Sequence, residues 1–484
     1  MSTFRSRRDF LFQTCGGISG IALASLLDQD KLLASDANAC LSSTGVAGPL
    51  APRKPHFPPR ATAVISLFMS GGVSHVDTFD PKPALTKYAG QPLTGKGDII
   101  VRQGNPGPLM PSPFTFKKCG ESGLDVSEIF PHIGSKADEF ALLRSVYGQS
   151  NDHVQAHYEL STGMIRMGYP SMGAWVTYGL GSENQNLPGF VVIYDAHGGP
   201  FGGPTNWSSG FMPAAYQGTV FRASDVPIVD LKPPSKITPD EQRSRLDLLS
   251  KLNEMDAGKY PGNTELEARI SSYELAYRMQ GCAPEAVDIN RESDAVKKLY
   301  GLDDPKTEPF GRQCLMARRL VERGVRFVQL YHGGLGIQNV DTWDAHENVG
   351  DNHRRHAYEV DQPIAGLLTD LKQTGLLDHT IVVWHGEFGR MPISQRGLGR
   401  DHNPGAMSMW MAGARIPGGQ IIGSSDEFGY KAAEQPIAIH DVHATLLNLL
   451  GMDHTKLTYR FNGRDMRLTD VYGNLIPQIT GKTA

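Results

Sequence analysis

Cysteine is scarce in this chain, five residues in 484, and no two of them stand in a C-x-x-C spacing. That excludes a zinc cluster built on thiolates and leaves Cys40, Cys119, Cys282 and Cys314 as packed thiols or at most two disulfides. Positive charge is not in excess either: 47 lysines and arginines face 51 acids, for a formal net charge of −4. No basic field is available to hold nucleic acid. The apolar stretch from Gly16 to Leu27 is shorter than the roughly 20 residues that span a bilayer, and Asp28, Asp30 and Lys31 follow at once. It is not a transmembrane segment, and the chain has no internal repeat and no low-complexity tract.

What is present begins with an address. Ser6-Arg7-Arg8-Asp9-Phe10-Leu11 reads S-R-R-x-F-L and leads into the mildly apolar stretch, as in a twin-arginine signal peptide. Ala37-Asn38-Ala39 supplies a small-x-small cleavage site, so residues 1–39 are expected to be removed after export by the twin-arginine translocase to the periplasm or outside the cell. Cleavage before Cys40 raises lipidation of that cysteine, but Ala37 stands where a leucine is usual. The twin-arginine route carries folded cargo, often cargo loaded with a metal or cofactor, which makes a metal site worth seeking. Residues 40–60, rich in proline and basic residues from Pro49 to Arg60, are expected to be a linker that does not pack.

Fifty-four glycines and 32 prolines, spread along the chain, imply many loops between regular elements. Short, nearly unbroken apolar runs at Ala63 to Met69, Phe190 to Tyr194, Val325 to Tyr331, Ile381 to Trp384 and Met407 to Met411 have the character of strands buried on both faces. Helical patterns are clearest at Pro239 to Met255, Glu265 to Gln280, Gln313 to Arg323, Arg354 to Leu377 and His440 to Leu450. This rhythm predicts one α/β domain over residues 61–475, a largely parallel central sheet with helices on both faces. The more charged stretch 232–304 is expected to be a helical excursion from the sheet. Ligands of such sheets sit at the carboxyl ends of the strands. The runs are followed there by Ser70 to Asp80, Asp195 to His197, His332 to Gly334 and His385 to Arg390, and His402 precedes the last, a concentration of histidines, acids and glycines.

Several segments carry a resemblance. His440-Asp441-Val442-His443-Ala444-Thr445-Leu446-Leu447 followed by Gly451 resembles the D-x-x-x-T-L-L…G helix of sulfatases, and Phe461 to Asp465 their closing G-R-S/D landmark. Ile129 to Leu143, taken as a helix running into F-A-L-L, and then Ser161-Thr162-Gly163 are similar to the sulfatase segment ending in L-T-G. Thr380 to Gly389 stands in the place of their T-S-D-H-G. Ser70-Gly71-Gly72 with Asp77 to Pro83, Trp343-Asp344-x-His346, Glu387-Phe388-Gly389-Arg390 and Gly399-Arg400-Asp401-His402 are similar to domain-of-unknown-function family 1501, a twin-arginine-exported branch of the alkaline phosphatase and sulfatase superfamily.

The resemblance implies an alkaline phosphatase-like fold and hydrolysis of phosphate or sulfate esters with one or two divalent metals. Asp344 and His346 match the superfamily's acid-then-histidine pair and His402 its late histidine, a zinc- or iron-type ligand set, with calcium a third candidate. Glu387 replaces the acid of T-S-D-H-G, as a ligand or an acid behind the ligands, while Phe388 replaces its histidine, so a second metal would lack an imidazole. Ser70-Gly71 occupies the place of another metal-binding acid, leaving Asp77 or Asp80 as displaced candidates. The sulfatase nucleophile position falls on His153 and its arginine neighbour on His157, and no C-x-P-S-R is present, which removes formylglycine chemistry. His153 and His157, one helical turn apart, could bind metal, act as nucleophile and base, or be two unrelated polar residues. Ser74 and His75 are further candidates. Arg390 and Arg400 could clamp an anionic ester, or be ordinary ion-pair residues. The expected function is an exported metal-dependent hydrolase of an anionic small-molecule or polysaccharide ester; the alternative is a non-catalytic binding or assembly protein of the cell envelope with the same fold.

Overall fold

A computed structural model describes residues 48–481, apart from 98, 105, 196–197, 225, 230, 232–235, 258, 260–263 and 336–339. Residues 1–39, expected to be an export signal with its cleavage site, lie outside the described residues, as do Cys40 and His197.

The apolar runs form a nine-stranded sheet: β1 Ala63–Met69, β2 Phe140–Tyr147, β3 Phe190–Tyr194, β4 Thr219–Arg222, β5 Phe327–His332, β6 Thr380–His385, β7 Met407–Gly413, β8 Gln420–Ile422 and β9 Ile437–Ala438. Its order is β8-β2-β7-β6-β1-β5-β3-β4, with β9 also beside β2. All neighbours are parallel except that β7 runs against both β6 and β2. The sheet is therefore mixed and mostly parallel. Alternation along β1 divides the core in two, because successive side chains leave a strand on opposite faces. Ala63, Ile65, Leu67 and Met69 join the layer of α4 Thr264–Val287, α5 Glu308–Glu322 and α6 Val349–Gln373. Val64 and Phe68 face the layer of α1 His153–Thr162, α2 Met172–Leu180 and α7 Ile439–Leu449. The charged excursion is helical, α3 Pro239–Ala257 followed by α4, and α4 returns Met279, Ala283 and Ala286 to the core.

Three expectations change. The segment before the F-A-L-L run is helical only in two short turns, Pro131–Gly134 and a 3-10 turn at Ala137–Glu139, and the run itself is β2, the strand that three others join. Residues 49–60 pack: backbone N–H groups of Arg53 and Arg60 donate to Leu180 and Leu449, and that of His56 to Gly451. These carbonyls end α2 and α7, and the last carbonyls of a helix need partners from outside it. The packed domain also runs past 475, since Ile479 is fully buried. Cys119 and Cys314 are free thiols.

Candidate metal centre

The parallel register aligns Phe68 with His385 and Met69 with His332, so β1, β5 and β6 end together and open their loops on one side. The loop after β1 is held close by glycine. Gly71 has φ +116°, and a Cβ there would stand 2.5 Å from the backbone nitrogens of Trp343 and Asp344. Trp343 N–H donates to Ser70 C=O at 2.9 Å, which draws the Asp344–His346 loop onto the end of β1. His402 arrives from a two-residue ladder in which it pairs with Arg390. His153 opens α1, whose first turn is capped by the Asp152 carboxylate accepting from Val154 and Gln155.

His153, Asp344, His346 and His402 meet there, one potential ligand atom of each lying within 4.8 Å of the others. Nε2 of His346 and of His402 lie 2.9 and 3.2 Å from Asp344 Oδ1, and Nε2 of His153 lies 3.3 Å from Oδ2. Each ring is anchored from behind by an acceptor at Nδ1: the Glu387 carboxylate for His153 at 2.7 Å, the Asn151 carbonyl for His402 at 2.7 Å, and the Gln395 side-chain oxygen for His346. An acceptor at Nδ1 places the ring proton there and turns the Nε2 lone pair toward Asp344. Three imidazole nitrogens and a carboxylate then converge, a set of acceptors that could hold a cation between them. Burial alone would raise the Asp344 pKa, but the Arg390 guanidinium and the three imidazoles hold it far below the carboxylate range. Burial opposes charge on His153 too, yet hydrogen bonds to Asp344 and Glu387 raise its pKa above the ordinary imidazole value.

Glu387 stands behind this cluster. Its oxygens accept from Gly71 N (2.9 and 3.1 Å), Gly72 N (2.9 Å) and His153 Nδ1, with His157 Nε2 at 3.4 Å from Oε1. These partners occupy its lone pairs, which gives it the role of orienting His153 rather than that of a ligand. His157 is fully buried, stacked on Phe68 at 4.3 Å, and reaches Ser70 Oγ and Glu387 but not the cluster. The helical turn that puts both histidines on one face thus gives them different work.

The other expected residues are placed apart. Asp77 is no ligand here: it is buried in a two-pronged ion pair with Arg400 at 2.7 and 3.1 Å and accepts from Ser74 Oγ. Arg400, fully buried, also donates to Met110 and Met391 carbonyls, and so offers nothing to an anionic ester. Arg390 is equally buried. It donates to the carbonyls of Gly71, Gly72 and Arg400 and to Asp344 Oδ1 at 2.7 Å, clamping the cluster's carboxylate instead of a substrate. His75 is held by Gly429 C=O and Asp80 by Lys82 and Ser425.

Sequence reasoning did not single out Gln395, Gln103 or Asn151. Gln103 Nε2 lies 3.1 Å from His346 Nε2, and its loop is fixed by Asp401 accepting from the N–H groups of Arg102 and Gln103. Amides and backbone carbonyls carry no sequence signal for such work.

A second group, His332, His356 and Glu359, also brings ligand atoms within 4.8 Å. Here Trp343 Nε1–H donates to His332 Nδ1 at 3.0 Å. Indole can only donate, so the proton sits on His332 Nε2 and points at Glu359, 3.0 Å away. That nitrogen has no lone pair for a metal, and the group is a satisfied hydrogen-bond network.

The chain is similar to several known proteins. The profile of the family described as "Protein of unknown function (DUF1501)" matches residues 61–480. Lipoteichoic acid synthase 2 of Bacillus subtilis (strain 168) is 28% identical over 216 residues, a match covering 39% of this chain and 29% of that relative's length. Solved structures similar to the chain at TM-score 0.34 include the following. For the PsFucS1 sulfatase of Pseudoalteromonas sp. the identity is 14%, with 89% and 72% of the two chains covered. For the phosphonate monoester hydrolase of Silicibacter pomeroyi it is 11%, with 73% and 72% covered. For the lipoteichoic acid synthase LtaP of Listeria monocytogenes it is 9%, with 87% and 78% covered.

Proposed function

The chain belongs to the DUF1501 family of proteins of unknown function, and from that premise and the cluster we propose that it is an exported, metal-dependent hydrolase of phosphate, sulfate or related esters. His153, Asp344, His346 and His402 are the ligands. One observation carries this reading: three imidazoles, each with its Nδ1 tied to an acceptor, direct their Nε2 lone pairs at one carboxylate. A nitrogen-rich set suits zinc or iron, while calcium, which takes oxygen ligands, fits it least. When bound, a divalent metal supplies Lewis acidity toward an ester oxygen and lowers the pKa of water.

The chain's own groups do the rest. Arg390 fixes the Asp344 carboxylate, Glu387 and Asn151 fix the rings of His153 and His402, and Gln395 fixes that of His346. Both nitrogens of His153 are committed, one to Glu387 and one to the cluster, so the place where a sulfatase keeps its nucleophile holds a ligand and water is left to attack. The substrate anion meets the rim, where Arg102 is partly exposed beside Asp152 and Arg396 reaches Gln103.

Protein purified from its natural compartment is expected to carry at least one transition metal and to hydrolyse a p-nitrophenyl phosphate, sulfate or phosphonate, with activity lost to a chelator and restored by metal. Absence of metal on elemental analysis would rule the hydrolase out in favour of an envelope binding protein. Export by the twin-arginine translocase rests on Ser6 to Leu11. Changing Arg7 and Arg8 together to lysine should leave precursor in the cytoplasm, and undiminished export would refute the route.

A further inference from the structure

α1 has a second working face. Glu159 lies two residues beyond His157, about 200° further around the helix, and so turns away from the metal cluster. It lines a cavity of ≈ 600 Å³ between α1, the end of β2, the start of α7 and the segment carrying Arg467 and Tyr472. That size is within the range of small-molecule sites.

The polar groups of this cavity are unevenly satisfied. Asp441 is spent, accepting from the N–H groups of Ala438 and Asn474 in the first turn of α7. His440 donates to Gly163 C=O and His454 Nδ1 contacts Thr469 Oγ1. Arg467, by contrast, has no ion pair or side-chain hydrogen bond among the described residues. Glu159 has no cation beside it, and burial pushes its pKa up to about 7. Two exposed aromatic faces, Tyr147 and Tyr472, border the cavity, and the Tyr472 ring rests 5.1 Å from that of His440. A guanidinium free of protein partners at a cavity wall can take an anion in a two-pronged hydrogen bond, and exposed tyrosines beside polar groups suit a body with alternating C–H faces and hydroxyls.

We propose that this cavity binds an acidic sugar residue, one carrying a carboxylate or a sulfate. Arg467 pairs with the anionic group, Tyr147 and Tyr472 cover the ring, and Glu159, His454 and Asn474 meet the hydroxyls. The site adjoins the metal cluster through one short loop. Gln149 N–H donates to Glu159 at 2.9 Å, and two residues on Asn151 C=O accepts from His402. The loop from Gln149 to Asn151 thus ties the cavity on one face of α1 to the cluster on the other, and on the hydrolase reading a longer acidic saccharide held in the cavity would be a candidate substrate.

Binding of glucuronate, glucose 6-sulfate, glucose and inorganic sulfate to the full-length mature protein, followed by ligand-observed nuclear magnetic resonance, tests it. At least one acidic sugar is expected to bind about tenfold tighter than glucose and than inorganic sulfate, and to lose about tenfold in Arg467→Gln or Tyr472→Ala. The same affinity is expected in Asp344→Asn, whose metal site is disabled, so failure of the hydrolase reading would leave this result standing. Equal binding of glucose, equal binding of inorganic sulfate, indifference to Arg467→Gln in folded protein, loss in Asp344→Asn alone, or no binding of either acidic sugar would each overturn the proposal.

Discussion

Two groups of histidines and acids lie near the strand ends, almost alike in composition and different in chemistry. In one, His153, His346 and His402 receive acceptors at Nδ1 and aim lone pairs at Asp344. In the other, the Trp343 indole donates to His332 Nδ1 and reverses the ring's polarity. Adjacent residues serve the two groups, since Trp343 sets the second and Asp344 anchors the first. Ligand type and distance do not distinguish the groups; the proton on the far side of each ring does.

The largest break in that comparison is Asp344→Asn. Metal content of the purified variant should fall to near zero, and the fully buried Arg390 loses its only charged partner among the described residues, with a stability cost of about 3 kcal/mol. His356→Ala, in the second group, should leave metal content unchanged. Elemental analysis of both variants checks the contrast, which fails if they behave alike.

Glu387→Gln should act less strongly. It keeps the shape but places an amide against the N–H groups of Gly71 and Gly72 and withdraws the carboxylate that fixes His153. Metal affinity should drop about 10- to 100-fold, read by competition with a chromogenic chelator. An unchanged affinity would mean that Glu387 does not orient the ring.

Trp343→Phe should sharpen the comparison from the other side. Without the indole donor His332 can carry its proton on Nδ1 and turn a lone pair toward Glu359, so a second, weaker equivalent of metal should bind at raised concentration. The lost hydrogen bond should cost about 1 to 2 kcal/mol. Stoichiometry unchanged at one would show that the tautomer does not decide the matter.

These contrasts explain what could be foreseen from sequence. β1 and β3 were legible to the residue because both faces are buried and their apolar runs are unbroken. β2 was missed because Arg144 interrupts its run, and what shelters that guanidinium, Asp80 and Asp125, is remote in the chain. Asp344, His346 and His402 could be suggested from a family pattern, and His153 from a displaced nucleophile position. The pairing of Asp77 with Arg400 joins residues 323 apart, and no local pattern announces that each is answered by the other. The direction of a hydrogen bond at an imidazole is still less legible, because it depends on which neighbour donates.

The last and smallest effect uses a third histidine governed by the same rule. His353 Nε2 accepts from Ser74 N–H at 2.8 Å and its Nδ1 faces Asn352 Oδ1, so it is held neutral. Burial first, against the opposing pull of Asp77 and with the help of Arg390, depresses its pKa to about 3. The unfolded chain takes up this proton near pH 6.5 and the folded chain does not, so the contribution is complete above 6.5 and is lost as pH falls toward 3. Within that window His353 should steepen the acid side of the stability profile by about 1.4 kcal/mol per pH unit. His353→Gln keeps an acceptor for Ser74 N–H and cannot titrate, so its denaturation midpoint should fall less steeply than that of the unmodified protein between pH 6.5 and 4.5. Parallel profiles would show that the backbone donor does not hold His353 neutral, and would weaken the same argument at His332.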